Sequence, residues 1–139
     1  MKKLDLKGVK IMIRNKESAY IFIRNEESDI KRFLTTFSYY ATTYEKTKVI
    51  ECKEMINFKI SALNRKLSLQ KRNSMKTIIE DEISFLKEIK RFVLRIQDFL
   101  FLTSKRFKSN DEFYILIDSL IHTYKKKFDY FKDIIQKRF

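Results

Sequence analysis

The chain has 139 residues, 31 Lys and Arg against 18 Asp and Glu, and a formal net charge of +13. Pro is absent, Gly8 is the single glycine and Cys52 the single cysteine. This composition excludes Gly-rich nucleotide loops and an internal disulfide, and it speaks against β-sandwiches and barrels, whose turns consume Gly and Pro.

The length suits one domain with its own core, here expected over residues 1–139. Near the start, IMIRNKES (11–18) is followed ten positions on by IFIRNEES (21–28), with six of eight letters shared. Val9, Ile11 and Ile13 alternate with Lys10, Met12 and Arg14, and Ala19, Ile21 and Ile23 alternate with Tyr20, Phe22 and Arg24. A period of two in β-branched and aromatic residues is the strand signal. It predicts an N-terminal β-hairpin over about residues 8–24, turning at RNKES. Asn25 then reads as the N-cap of a helix, with Glu26, Glu27 and Asp29 favouring its positive end.

From about residue 26 to 139 the spacing is helical. Ile30, Phe33, Leu34, Phe37, Tyr40, Ala41 and Tyr44 recur at three and four, and Cys52, Met55, Ile56, Leu63 and Leu67 continue on a related phase. TTYEKTK (42–48) is a soft spot, and residues 26–71 read as either one bent helix or two. A further helix starts at Asn73 or Ser74, with a core stripe from Ile78 through Phe85, Ile89, Phe92 and Ile96 to Leu100. Asn110, Asp111 and Glu112 signal another start, followed by Leu116, Ile117, Tyr124, Phe128, Phe131 and Ile135. The expected fold is mainly α: an antiparallel bundle of three to four long helices preceded by the hairpin.

No catalytic set is legible, and the chain is expected to be no enzyme and to need no cofactor. HTY (122–124) matches half of the Arg–four residues–His–any–Tyr motif of HEPN-type ribonucleases, but Ile117 stands at the Arg position, so that activity is not carried over. Cys52 has no base beside it and reads as a small buried hydrophobe. Glu80, Asp81 and Glu82 read as acids complementing a helix start rather than as metal ligands. No apolar run approaches the roughly 18 residues of a membrane span. The start carries charge where a signal peptide needs an apolar core, so a cytoplasmic protein is expected.

The basic residues carry the functional expectation. In an up-down-up-down bundle, Lys31 and Arg32 would meet Arg65, Lys66, Lys71, Arg72, Lys76, Lys137 and Arg138 at one end. Glu26, Glu27, Asp29 and Glu80–Glu82 would partly offset them. Lys87, Arg91 and Arg95 recur at four on the third helix and form a basic stripe. An excess of this size exceeds what solubility needs. It points to sequence-nonspecific nucleic-acid backbone binding, alone or as a subunit of a nucleoprotein complex. The alternative is a protein-interaction module, such as an inhibitor, immunity or adaptor protein, docking on an acidic partner protein. A membrane-surface role ranks below both, because the apolar stripes are consumed by packing. Homo-oligomerisation is compatible with each.

Overall fold

The computed structural model describes residues 13–102 and 112–139. Among these there are four α-helices and no strand: α1 (Lys16–Thr42), α2 (Lys46–Leu69), α3 (Asn73–Leu102) and α4 (Glu112–Arg138). Cross-helix pairs give their directions. Glu26 meets Lys59 while Phe22 meets Lys66, so α2 descends as α1 rises. Glu27 meets Lys132 while Lys16 meets Gln136, so α4 also descends. Asp81 meets Lys127 and Phe92 meets Phe113, so α3 rises against α4. The helices form a ring in which α2–α3 and α1–α4 are the most extensive pairings, and the backbones of α2 and α4 lie across the ring from each other without close approach.

One core runs through the bundle, with Phe37, Phe85, Phe128 and Phe131 fully buried among Ile and Leu side chains. Each such side chain contributes about 1.5–3 kcal/mol by leaving water. Toward the upper end, Phe37, Phe92 and Phe113 form an aromatic triangle with ring centroids 5.7–6.3 Å apart.

The expected hairpin is not formed. Residues 16–24 are the first turns of α1, while its residues 8–12 lie outside those described. The local cause is a reciprocal cap at Asn15. Its Oδ1 accepts from the Ser18 N–H at 2.9 Å, and its own N–H donates to Ser18 Oγ at 3.1 Å. This satisfies helix-end donors that would otherwise be orphaned. The tertiary cause is that Ala19, Phe22, Ile23, Glu26 and Ile30 recur at three and four, and that face is buried. The period-two alternation arose because apolar residues also occupy intermediate positions such as Tyr20 and Ile21. Thus the first copy of the repeat starts the helix, and the second lies inside it, with Asn25 exposed rather than capping.

Residues 26–71 belong to two helices. α1 ends in a Schellman turn: the Glu45 N–H donates to Tyr40 O at 2.9 Å and the Tyr44 N–H to Ala41 O at 3.2 Å. The motif needs a left-handed residue, usually Gly, and here Tyr44 fills it with φ 63°. Its hydroxyl donates to Leu100 O at 3.2 Å, anchoring the strained residue to the end of α3. The second connection, residues 70–72, is equally short. Gln70 is extended, and the Arg72 carbonyl accepts the Lys76 N–H at 3.0 Å.

Candidate functional site

The lower end of the bundle gathers the start of α1, the α2–α3 connection and the last turn of α4. Arg65 lies on an exposed position near the end of α2, Lys71 and Arg72 lie in the connection, Lys76 is in the first turn of α3, and Lys137 and Arg138 finish α4. Two contacts tie these segments together. The Arg72 guanidinium sits 3.9 Å from the centroid of the Phe139 ring, a cation–π contact that leaves its charge unneutralised. Lys16 Nζ donates to the Gln136 carbonyl at 3.0 Å, near the negative end of α4.

Acids are few here. Asp133 holds Lys137 at 3.3 Å, and Glu17 and Glu80 occupy exposed positions. The other acids expected to offset this end pair higher up. Asp81 binds Lys127 at 3.1 Å, Glu27 binds Lys132 at 3.0 Å, and Asp29 accepts from Lys59 at 3.0 Å and Arg32 at 3.5 Å. The counter-charge is therefore consumed at mid-height, and the lower end keeps its excess.

Three candidate residues do not join it. Lys31 and Arg32 are exposed at mid-height, because α1 begins at Lys16 rather than near residue 26. Lys66 turns inward, with Nζ 5.3 Å from the Phe22 ring centroid, and burial pushes its ammonium below its ordinary value. The α3 positions Lys87, Arg91 and Arg95 are exposed. Lys87 lies eleven residues beyond Lys76, three turns and about 16 Å along the helix, so the stripe continues the lower end up one side.

Above this end lies a polar cluster that sequence reasoning missed. Glu26 is 7% exposed and Glu82 1% exposed. Lys59 Nζ donates to Glu26 Oε2 at 2.7 Å, which fixes one carboxylate. Neither Glu82 oxygen, nor Glu26 Oε1, has a donor while both groups are ionised. Burial first, then the neighbouring Glu26, holds the Glu82 carboxyl well above the usual carboxylate range. A proton kept on Glu82 supplies the missing donor between the two groups. The signal was present in spacing: Glu26 shares the register of Phe22, Ile23 and Ile30, and Glu82 that of Ile78, Ile79 and Leu86.

The groups of potential chemical interest are dispersed. Burial, with Glu51 nearby, pushes the Cys52 thiol up to about 11, the opposite of an activated nucleophile. His122 is exposed on α4. Among the described residues no three His, Cys, Asp or Glu side chains converge to hold a metal, and no helix is long and apolar enough to cross a membrane. Comparison with protein families, curated proteins and solved structures finds no match.

Proposed function

We propose that the protein binds nucleic-acid backbone without sequence specificity, alone or as a subunit of a nucleoprotein complex. The observation that supports this most is the company kept by Arg65, Lys71, Arg72, Lys76, Lys137 and Arg138. They come from the end of α2, the α2–α3 connection, the first turn of α3 and the end of α4, which alternating helix direction brings to one end. Asp81, Glu27 and Asp29 pair with lysines higher up, and among the described residues only Lys137 of the six holds an acid, Asp133. Lys87, Arg91 and Arg95 extend the contact along α3. Such a surface recognises repeated negative charge at phosphate spacing and reads no base edges. The role is a grip rather than a reaction.

Counterion release makes the reading quantitative. If about six phosphates are neutralised, affinity falls on the order of a thousandfold between 50 and 200 mM salt. The experiment is a titration of single-stranded RNA, single-stranded DNA and duplex DNA with the full chain across that range. Tight, salt-sensitive binding that is lost in Lys71→Glu/Arg72→Glu supports the proposal. Absence of binding to all three polymers at the low-salt limit overturns it and leaves an acidic protein as the occupant of the same cations.

A further inference from the structure

Helix α2 carries two apolar faces, and the bundle uses one. Val49, Cys52, Ile56, Ile60 and Leu63 are buried against α1 and α3. A second series, Glu51, Met55, Phe58, Ala62, Arg65 and Leu69, recurs at alternating spacings of four and three. At 100° per residue it is centred roughly 140° around the helix from the buried face. Phe58 is 73% exposed, Leu69 80% and Met55 52%. The exposure of Met55 also corrects its expected place in the core. Alternating spacings of three and four are what two packed helices require of each other. Beside Phe58, a groove of about 580 Å³ opens between α1 and α2, walled by Phe33, Met55 and Phe58 and floored by Leu86 and Ile89.

We infer that two copies of this chain pair antiparallel through the outer face of α2, about a two-fold axis near Phe58. The charge order along the stripe selects this occupant. Its N-terminal half carries Glu54 and Glu51, the latter 3.6 Å from Lys48 of the same helix, and its C-terminal half carries Arg65. A two-fold axis between them sets Glu54 of each copy toward Arg65 of the other, twice per dimer. Elsewhere a chain of net charge +13 repels its own copy. The groove mouth is different, because Asp29, Glu51 and Glu54 line it together with Arg32 and Lys59. Apolar contact can form here without that repulsion. Phe58 of one copy then enters the groove of the other, and Leu69 covers the ends of the stripe. Arg65 is shared with the basic end, but the central residues Met55, Phe58 and Glu54 lie above it, so Phe58→Ser tests the pairing apart from polyanion binding.

Sedimentation equilibrium of the full chain over a wide concentration range tests this. The expected result is a reversible monomer–dimer equilibrium, weakened more than about tenfold by Phe58→Ser. Glu54→Lys and Arg65→Glu should each weaken it about fivefold. The combined Glu54→Lys/Arg65→Glu variant should recover the original constant. The two positions are eleven residues apart on one helix, about 16 Å, so recovery can arise only between copies. Phe58→Cys should also oxidise to a covalent dimer, while Lys87→Cys, on another helix face, should not. A monomer at every concentration overturns the inference and leaves the stripe to a different protein. A combined variant no better than its parents overturns the antiparallel geometry.

Discussion

Glu26 of α1 and Glu82 of α3 face each other inside the bundle, and burial, with Glu26 beside it, makes Glu82 hold its proton to well above the usual carboxylate range. The folded chain therefore binds that proton to higher pH than the unfolded chain does. Its contribution to stability is complete below the unfolded carboxyl value of about 4.3 and is lost as pH rises through the raised folded value. Glu82→Gln keeps a donor toward Glu26 and does not titrate. Its stability advantage over the parent should grow with pH, reaching about 1–2 kcal/mol at neutrality. Thermal melts of both proteins across the acid-to-neutral range check this, and parallel curves would refute it.

Lys59 is the counter-charge for this cluster, bonded to both Glu26 and Asp29. Lys59→Met should cost about 3 kcal/mol, because a buried carboxylate is left without a partner. Adding Glu26→Gln should recover more than half of the loss. Urea denaturation of the two single variants and the double variant measures the coupling directly.

At Tyr44 the usual ranking of small residues should invert. Both Tyr44→Ala and Tyr44→Gly lose the hydroxyl bond to Leu100. Only glycine also relieves the left-handed backbone at φ 63°. The Gly variant should therefore be the more stable of the two by about 1 kcal/mol, despite the extra unfolded-state freedom of glycine. Tyr44→Phe isolates the hydroxyl bond, at about 1 kcal/mol. Chemical denaturation of the three variants orders them.

The two copies of the short repeat should respond oppositely to the same substitution. Asn15→Ala removes the cap of α1 and should cost about 1 kcal/mol. Asn25→Ala replaces an exposed mid-helix residue by a better helix former and should be neutral or stabilising by about 0.5 kcal/mol. Denaturation midpoints of the two variants decide whether the first or the second copy begins the helix.

The long, strongly periodic helices were readable. In α3, Ile78, Ile79, Phe85, Leu86, Ile89, Phe92, Val93, Ile96 and Leu100 are expected in the core and are buried there. α4 follows the same pattern, with Tyr124, Phe128, Phe131, Ile134 and Ile135 buried. The N-terminal segment misled because a half-apolar stretch satisfies both periods locally, and only packing against α2 and α4 selects one. A start ten residues earlier than expected lifted Lys31 and Arg32 out of the lower end, so a local misreading became a site misplacement. Glu26 and Glu82 were read as surface acids because residue type outweighed register. The register itself put them inward, where Lys59 meets the charge of Glu26 and burial raises the Glu82 carboxyl well above its usual range. The outer stripe of α2 was hidden for the reverse reason: Met55 was merged with the core phase, although it lies well away from it around the helix.

Three sides of the ring of helices are joined by peptide connections, but the α1–α4 side is closed by contact alone, through pairs such as Glu27 with Lys132 and Lys16 with Gln136. Those partners lie more than a hundred residues apart, so this side is the last to close from an extended chain and the first able to part without undoing a turn. Parting it would bare Phe128 and Phe131 to water while the α2–α3 pair stayed intact. The molecule thus has a built-in line of opening, and amide exchange should find α1 and α4 loosening together ahead of the middle helices.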